Sequence, residues 1–349
     1  MEKLRIAVLF GGCSPEHEVS LESAHAVLTH LDPARYEAIP VGITREGRWL
    51  LYRGPYDALP GDRWQAGDCL PAVLSPDRQT HGLLLLGEGP ARPLRVDAAF
   101  PVLHGANGED GTVQGLLALA GIPVVGCGVL SSALCMDKEL SRRLAAAEGI
   151  PVAPWALFRA GEDSAPFQEA CASLAWPRFV KPARAGSSFG VSRVTEPAGL
   201  LPALREALAY DDKVLVEEAV PGREVGCAVL GRGGDLFTGH PDEIELQGGF
   251  FDYTEKYHLV TSRIHTPARV EPGVEAAIQA LARRVCRLLD CQGMARVDLF
   301  LRPEGTLVFH EVNTIPGFTA HSRYPAMMAA AGLPLPALLD RLIGEAVGL

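Results

Sequence analysis

The sequence predicts an α/β protein, with an α+β arrangement in its C-terminal part. Two observations lead to this prediction. In the first third of the 349 residues, short apolar runs alternate with segments of helical periodicity, an order typical of a parallel sheet flanked by helices. After Pro151 this alternation gives way to groups of short strands. The change of rhythm predicts three parts with boundaries near residues 125 and 220, namely 1–125, 126–220 and 221–349.

Each element of the first part follows from its apolar spacing and from the residues that end it. Ile6–Phe10 is a continuous apolar run that stops at two glycines, which predicts a buried strand. Ser20–Leu31 has helical spacing and ends before Asp32-Pro33, because proline cannot continue a helix. The other predicted elements are a helix at Thr112–Ala120 and strands at Ala38–Ile43, Leu83–Leu86, Ala98–Leu103 and Pro123–Val125.

The later elements are predicted by the same criteria. Helices are expected at Met136–Glu148, Leu200–Ala209 and Val274–Leu289, with a last helix beginning at Pro336. Strands are expected at Arg178–Pro182, Val191–Val194, Val214–Glu217, Val225–Leu230, Ala295–Leu301 and Thr306–Glu311. The segment Gln247–Tyr257 is predicted to be a loop.

Composition excludes several classes of protein. A hydrophobic content of 48% is too high for a disordered chain, and the net charge of −10 comes without the basic stripe of a nucleic-acid-binding protein. The eight cysteines have no metal-binding spacing, and no apolar run reaches the length of a membrane span. With no signal peptide at the N-terminus, we expect free thiols, a cytoplasmic location and neither a nucleic acid nor a membrane as partner.

Lysine is rare in this chain. Only five of the 32 basic residues are lysines: Lys3, Lys138, Lys181, Lys213 and Lys256. One interpretation is a coding bias that replaces lysine by arginine on the surface. The alternative is that the remaining lysines mark positions where a planar guanidinium would not serve.

The segment Lys181–Gly190 is a candidate phosphate-binding loop. Lys181 ends a predicted strand, and the small residues after it allow backbone N–H groups and serine hydroxyls to approach phosphate oxygens. The same segment contains the pattern Gly186-x-Ser188-x-Gly190 of a hydrolase nucleophile elbow, but the sequence after it is strand-like, whereas an elbow requires a helix. A plain flexible hairpin is the third interpretation.

A second candidate site combines Arg296 and Asp298 with Glu311 and Asn313. Alternation along a strand puts the members of each pair on one face, and a turn at Arg302–Gly305 would bring the two faces together. Two carboxylates and an amide oxygen are ligands suited to Mg²⁺ bound to substrate phosphates. A salt bridge between Arg296 and either acid is the equally weighted alternative.

A third candidate is the loop His104–Gly111, which follows a predicted strand and precedes a predicted helix. This is where ligands bind in open α/β sheets. Its polar residues could instead cap the helix through Asp110 or Thr112. No P-loop and no H-E-x-x-H zinc motif occurs in the sequence.

Taken in order, these motifs resemble the D-alanine–D-alanine ligase family of ATP-grasp enzymes, over nearly the whole chain. The vancomycin-resistance-type D-alanine–D-serine ligases are the most similar subgroup. The motifs that carry the resemblance are Gly12–Ser20, His104–Gly111, Cys135–Lys138, Lys181–Gly190, Phe251–Tyr257, Arg296–Asp298 and Glu311–Gly317.

The resemblance implies the ATP-grasp fold with three domains, of which the N-terminal one is Rossmann-like. It also implies a homodimer. It also implies ATP, two Mg²⁺ ions that Mn²⁺ can replace, and two D-amino acids joined through a D-alanyl phosphate for peptidoglycan synthesis. ATP contacts would come from Lys138, Lys181, Ser187, Ser188, Lys256, Glu217, Glu218, Val220 and Glu224. Family members often carry lysine at the position of Glu218, where the contact is largely through the backbone.

The same resemblance assigns the remaining roles. Asp298, Glu311 and Asn313 would bind the metal, and Arg296 would stabilise the developing oxyanion. The catalytic set would be Glu16, Ser187, Lys256, Tyr257 and Arg296, with a lid around Lys256 that excludes water. Substrate contacts would come from Glu16, His104, Gly317, Ser322, Phe251 and Arg323.

The acceptor is expected to be D-serine, because Phe251 with Arg323 resembles the D-serine subgroup. Housekeeping ligases usually have Tyr and Leu or Met at these positions, and D-alanine is the alternative acceptor. D-lactate ligases share the arginine but lack Lys256-Tyr257. The more distant alternatives are an ATP-grasp ligase of another carboxylate, a serine hydrolase and a non-catalytic nucleotide-binding module. Lys138, Lys181 and Lys256 fall on family positions at the ATP phosphates, whereas Lys3 and Lys213 are expected to be ordinary flank and strand-start residues.

Overall fold

The computed structural model describes residues 2–245 and 262–349, which form three β-sheets with helices packed against them. The first sheet has the order β6-β5-β4-β3-β2-β1-β7. Its strands are β1 Leu4–Gly11, β2 Tyr36–Ile43, β3 Trp49–Tyr52, β4 Cys69–Leu74, β5 Gly82–Leu85, β6 Arg92–Arg95 and β7 Ala98–Pro101. Its helices are α1 His17–His30 and α2 Thr112–Ala120, with single helical turns at Tyr56–Ala58 and Trp64–Ala66.

The expected parallel arrangement is correct for only part of this sheet. Strand β1 pairs in parallel with β2 and β7, but β2 through β6 form consecutive antiparallel pairs. Only residues 44–48 separate β2 from β3, too few for the crossover that parallel strands need. The strand expected at Pro123–Val125 is reduced to an isolated bridge between Ala99 and Val124.

The helix expected over Met136–Glu148 is present but begins two residues later, because Asp137 separates it from a preceding helix that was not predicted. Helix α3 runs over Val129–Met136 and α4 over Lys138–Ala147. The Asp137 carboxylate accepts the backbone N–H groups of Glu139 and Leu140, both at 3.1 Å. Asp137 is therefore the N-cap that starts α4, with Lys138 as its first residue.

The second sheet is antiparallel with the order β10-β9-β11-β8. Its strands are β8 Trp155–Arg159, β9 Arg178–Pro182, β10 Ser192–Val194 and β11 Lys213–Glu218. Its helices are α5 Ser164–Ala172 and α6 Leu200–Leu208, with a helical turn at Pro197–Gly199. Strand β9 carries Lys181 and the neighbouring β11 carries Glu217, so the sheet places these two side chains together.

The third sheet has the order β15-β14-β12-β16-β17, and β13 also pairs with β12. Its strands are β12 Arg223–Arg232, β13 Asp235–Thr238, β14 Asp242–Glu245, β15 Arg263–His265, β16 Gly293–Leu301 and β17 Leu307–Asn313. The helices of this part are α7 Pro272–Leu288, α8 Arg323–Ala330 and α9 Leu335–Val347. The sequence predicted α7 and α9 but not α8.

One hydrophobic core joins the two ends of the chain. Ile6, Phe10 and Phe100 of the first sheet pack with a C-terminal group of buried residues that includes Leu230, Tyr324 and Ile343. No single helix in the described part of the chain is long and apolar enough to cross a membrane. The pair α8 and α9, bent by 100°, meets the length and composition criteria together, but the apolar faces of both helices are buried in this core.

Candidate active site

One cavity of about 790 Å³ brings together all the predicted site residues that the structure describes. These are Glu16, His104, Lys138, Lys181, Ser187, Ser188, Glu217, Glu218, Val220, Glu224, Arg296, Asp298, Glu311, Asn313, Gly317, Ser322 and Arg323. The other three predicted residues, Phe251, Lys256 and Tyr257, lie outside the described residues, as does the whole of the expected loop Gln247–Tyr257. All three sheets or their connecting loops contribute to the lining.

A buried charge network forms the wall around Lys181. Lys181 Nζ donates to Glu217 Oε1 at 2.7 Å, and the guanidinium of Arg142 donates to the other Glu217 oxygen. Burial, reinforced by the charge of Arg142, lowers the pKa of Lys181 to about 8. Burial would raise the pKa of Glu217, but Arg142 and Lys181 outweigh it and lower that pKa to about 2. The Glu217 carboxylate thus pairs with two cations, Lys181 and Arg142.

The neighbouring residues of β11 also have defined partners. Glu218 Oε1 accepts the backbone N–H of Ala175 at 2.8 Å, and the Glu218 N–H donates to Pro154 O at 3.0 Å. The Glu218 side chain is therefore turned towards the protein. A ligand here would be contacted by the backbone of Glu218. The expected backbone contact is therefore compatible with glutamate at this position, where relatives often have lysine.

The loop after Lys181 folds back towards the N-terminal part. Ser187 and Ser188 have φ values of 46° and 60°, a left-handed conformation that L-residues rarely adopt. The Ser187 hydroxyl donates to Glu16 Oε1. A Cβ atom at Gly186 would lie 2.6 Å from Glu16 Oε2, so this close approach requires glycine. Strand β10 follows Ser188 where a nucleophile elbow requires a helix, so the hydrolase interpretation is wrong.

Lys138 reaches the same loop from the first position of α4. Its Nζ donates to Ala185 O at 2.7 Å and lies 3.7 Å from Glu311 Oε2. The side chain therefore bridges the loop after β9 and strand β17. Two lysines, Lys138 and Lys181, thus line the cavity from different elements, an arrangement suited to a polyanionic ligand.

Strands β16 and β17 place the second candidate group as the sequence predicted. Asp298 pairs with Glu311 and Arg296 with Asn313 across antiparallel strands. The hairpin turn is closed by the Arg302 N–H, which donates to Thr306 O at 2.9 Å. Arg296 Nη2 donates to Asp298 Oδ2 at 2.7 Å, and Asn313 Nδ2 donates to the same oxygen at 3.0 Å. The salt bridge between Arg296 and Asp298 is therefore present.

The donor set also fits Mg²⁺ bound mainly by phosphate oxygens. Among the residues that the structure describes, no three His, Cys, Asp or Glu side chains form a metal cage. Mg²⁺ often takes only one or two carboxylates from the protein and completes its shell with water and substrate phosphates. Burial would raise the pKa of Asp298, but Arg296 and Arg323 outweigh it and keep the pKa below its usual range. Asp298 and Glu311, with the amide of Asn313, match this pattern.

Arg323 lies buried beside this group at the start of α8. Its Nε and Nη2 each donate to one Asp242 oxygen at 2.7 Å, and its Nη1 donates to Glu224 Oε1 at 3.2 Å. Nη1 is also 3.3 Å from Asp298 Oδ1. A Cβ atom at Gly226 would lie 2.4 Å from Arg323 Nη2, so a glycine on β12 makes room for the guanidinium.

The N-terminal loops close the opposite end of the cavity. Ser14 Oγ donates to His104 O at 2.7 Å, and the Gly105 N–H donates to Glu109 Oε2 at 2.9 Å. Burial lowers the pKa of His104 to about 4, so the ring is neutral. Burial, together with the nearby charge of Glu16, raises the pKa of Glu109 to about 8.

The N-cap residue of α2 is Gly111, which has no side-chain cap, but Asp110 of the same loop contacts the first residue of the helix. Asp110 Oδ1 accepts both the N–H of Thr112, at 3.0 Å, and its hydroxyl, at 2.7 Å. The loop therefore presents His104 and Glu109 to the cavity with one end and starts α2 with the other.

Gly317 and Ser322 lie together in the segment before α8. A Cβ atom at Gly317 would be 2.8 Å from Ser322 Oγ, and that hydroxyl is 2.9 Å from Thr319 Oγ1. Ser322 precedes the first residue of α8, so its backbone is at a helix N-terminus, where a carboxylate is favoured.

Four residues of this site were missed by sequence reasoning: Arg142, Lys213, Asp242 and, in any specific role, Glu109. Their partners are distant in sequence, since Asp242 and Arg323 are 81 positions apart and Arg142 and Glu217 are 75 apart. The local sequence offered no signal, because Arg142 and Asp242 each lie among other charged residues. Arg142 and Asp242 are fully buried, which charged residues rarely are unless paired.

Comparison with known proteins establishes the family. The D-ala D-ala ligase N-terminus model matches residues 5–127, and the D-ala D-ala ligase C-terminus model matches residues 144–344. The chain belongs to the D-alanine–D-alanine ligase family. It is a ligase with the ATP-grasp fold, as the resemblance implied.

Individual relatives carry names with different acceptors. A putative D-alanine–D-lactate ligase of Streptomyces coelicolor is 47% identical, covering 99% of both chains. The vancomycin B-type resistance protein VanB of Enterococcus faecalis is 45% identical with the same coverage. The crystal structure of the VanG D-Ala:D-Ser ligase from Enterococcus faecalis superposes with a TM-score of 0.92 at 48% identity, covering 99% of this chain and 100% of that one. The expected similarity to vancomycin-resistance-type ligases is confirmed.

Proposed function

We propose that this enzyme joins D-alanine to a second D-amino acid, using ATP and passing through a D-alanyl phosphate, to make a peptidoglycan precursor. The observation that carries the proposal is the composition of one cavity. It combines an acid–serine pair, Glu16 with Ser187, a lysine pair, Lys138 with Lys181, and the Asp298–Glu311–Asn313 group. The acid–serine pair would bind an amino-acid ammonium, and the lysine pair would bind a nucleotide phosphate chain. The third group would bind phosphate-bound Mg²⁺.

The first D-alanine is assigned to the end of the cavity at Glu16. Its ammonium would be received by the Glu16 carboxylate, which the Ser187 hydroxyl orients. Gly105 and Gly186 leave room beside Glu16 Oε2, since a Cβ atom at either would come within 2.6 Å of that oxygen. The substrate carboxylate would then face the lysines rather than the acid, in the orientation needed to attack the γ-phosphate.

Charge neutralisation at the phosphate end is assigned to Lys138 and Lys181. Two anions must approach each other for the carboxylate to attack a phosphate, so fixed positive charge lowers the barrier. We assign Asp298, Glu311 and Asn313 to hold Mg²⁺, which would offset further negative charge on the phosphate oxygens. Val220, Glu224 and the backbone near Glu218 would hold the adenosine part, while Glu217 keeps Lys181 in place.

Arg296 is assigned to the second step, when the amine of the acceptor attacks the acyl carbon. Asp298 engages Nε and Nη2 of Arg296, which fixes the plane of the guanidinium. The remaining Nη1 is the donor that we assign to the developing oxyanion. The roles of Lys256 and Tyr257 in closing the site stay predictions from the resemblance.

We propose D-serine as the preferred acceptor. The supporting observation is Arg323, which is held by Asp242 and Glu224 with Nη1 beside Asp298 at the Ser322 end of the cavity. A charged donor here can support a hydroxyl near the acceptor carboxylate subsite at Gly317 and Ser322. D-alanine is the alternative acceptor.

Acceptor competition tests this proposal directly. The purified enzyme is given ATP, Mg²⁺ and D-alanine with D-serine, D-lactate or additional D-alanine, and ADP release and product mass are measured. We expect kcat/KM for D-serine to exceed that for the others, with L-serine inactive as a control. A strong preference for D-alanine would contradict the D-serine assignment. ATP turnover that does not require D-alanine would contradict the ligase proposal itself and favour another carboxylate substrate.

Three further properties are proposed: a homodimer from the resemblance, and a cytoplasmic location and domain boundaries near residues 125 and 220 from the sequence. The three sheets support the boundaries, since their strands end at Pro101, run from Trp155 to Glu218 and resume at Arg223. All eight cysteines are free in the structure, in agreement with the predicted free thiols. Light scattering on the purified enzyme tests the dimer.

A further inference from the structure

Lys213 is a buried ammonium surrounded by carboxylate oxygens, and not the ordinary strand-start residue that the sequence suggested. Its side chain is 3% exposed. Nζ lies 2.7 and 2.8 Å from the two oxygens of Asp137 and 2.8 Å from Glu139 Oε2. An ammonium group has three N–H donors, and three carboxylate oxygens surround this one.

The two carboxylates stand on either side of Lys138 in the sequence. Asp137 caps α4, and Glu139 is the second residue of the helix. Lys138 lies between them and sends its Nζ to Ala185 O, at 2.7 Å. Because Lys213 holds both neighbours, it fixes the direction in which Lys138 leaves the first turn of α4.

The backbone of the same segment fixes the phosphate-loop candidate. Lys213 O accepts the Ala183 N–H at 2.8 Å, and Ala183 O accepts the Lys138 N–H at 3.0 Å. The Lys213 N–H donates to Asp211 Oδ1 at 3.1 Å, and the other Asp211 oxygen accepts the Arg184 N–H at 2.8 Å. Side chain and backbone of Lys213 thus tie α4 and the loop after β9 to one point on β11.

We propose that Lys213 is a positioning residue for the reaction: through Asp137 and Glu139 it holds Lys138 in place and thereby sets the affinity for nucleotide phosphates. This inference rests on the proposed function, in which Lys138 contacts those phosphates. It also explains a lysine at this position in a chain where lysines are only five of the 32 basic residues. A planar guanidinium cannot place three donors around one compact point.

Loss of the ammonium would leave Asp137 without its buried cation and Glu139 with Arg143 alone. The two carboxylates would then repel each other without the shared cation between them, so the first turn of α4 would shift and carry Lys138 with it. The end of the cavity around Glu16 and His104 belongs to other elements and would be unaffected.

Nucleotide binding by K213M tests the proposal. We measure the affinities of ADP and of adenosine, each with Mg²⁺, by calorimetry. The Kd for ADP is expected to rise about tenfold or more while the Kd for adenosine stays within about twofold, because adenosine has no phosphate for Lys138 to contact. The matched control is R143Q, which removes the exposed cation beside Glu139 but keeps Lys213. Both affinities should be unchanged there.

Equal loss of ADP and adenosine affinity would show a merely structural role and overturn the proposal, as would unchanged ADP affinity. If K213M does not fold, D137N carries the test, since asparagine still caps a helix but has no charge to pair with Lys213. It should show the same ADP-selective loss, and an unchanged ratio of the two affinities would overturn the proposal. A wild-type enzyme that binds ADP no more tightly than adenosine would contradict the proposed function instead.

Discussion

Replacing Arg323 by methionine removes the cation that compensates Asp242 and Glu224. Asp242 is fully buried, so R323M leaves its carboxyl group with the Gly226 N–H but without a cation. Removing one partner of a buried ion pair costs about 3–5 kcal/mol of folding free energy. An unfolding entropy of about 2.1 cal/mol/K per residue, applied to the 349 residues, amounts to about 0.7 kcal/mol/K. The melting temperature should therefore fall by about 4–7 °C.

Calorimetry of four variants measures this magnitude. R323M is compared with D242N, with the double variant, and with R341M, whose arginine pairs with Glu345 near the surface at 3.4 Å. The double variant should recover part of the loss, because the buried side chain at position 242 no longer requires a cation, and R341M should change Tm by less than about 1 °C. A change below 1 °C for R323M would refute the argument from the buried network.

The same variant tests the acceptor argument. If Arg323 supports the hydroxyl of D-serine, the ratio of kcat/KM for D-serine to that for D-alanine should fall about tenfold, which corresponds to about 1.4 kcal/mol. The ratio is insensitive to a general loss of active enzyme. An unchanged ratio would show that Arg323 does not discriminate between the acceptors.

Three further predictions concern the donor and phosphate ends of the cavity. The pKa of Lys181 is about 8, below the ordinary 10.5, so its ammonium loses its proton as the pH rises from 7 to 9. Because the positive charge is lost, kcat/KM for ATP should fall about tenfold over this range. A flat pH profile would contradict this prediction. K181R should lower turnover about tenfold or more, because Nζ is buried 2.7 Å from Glu217, and near-normal turnover would show that lysine is not required. G186A places a Cβ 2.6 Å from Glu16 Oε2 and should raise KM for D-alanine about fivefold, whereas G115A, with nothing within 4 Å, should leave it unchanged.

Local patterns sufficed to predict the hairpin that holds the metal-site candidates. Alternation along β16 and β17, joined by a short turn, predicts that Arg296, Asp298, Glu311 and Asn313 lie together, and the observed register agrees. Adjacent antiparallel strands are a short-range feature, so the sequence determines them well. Strand β5 was predicted at Leu83–Leu86, but β3, β4 and β6 were not, because they lie in a segment rich in proline and glycine and are only four to six residues long.

The buried charge networks could not be predicted from the sequence, for a physical reason. A buried carboxylate or ammonium is stabilised by whichever partner the fold brings to it, and sequence spacing carries no information about that partner. Lys213 illustrates this, since its partners Asp137 and Glu139 lie more than 70 positions earlier. Glu217 is similar: the resemblance placed it near the nucleotide, but only the structure shows that Arg142 and Lys181 share its carboxylate.

The core shared by the two ends of the chain has a consequence during synthesis. Ile6, Phe10 and Phe100 emerge from the ribosome early, and Leu21, Val27 and Trp64 soon join them, but the C-terminal part of their cover begins at Ala228 and extends to Ile343. At about 5–20 residues per second, roughly 10–50 s separate the synthesis of Phe100 from that of Ile343. A nascent chain of this ligase therefore exposes part of an apolar sheet face for most of its translation. During this interval a chaperone, or another nascent chain, would bind the exposed apolar face.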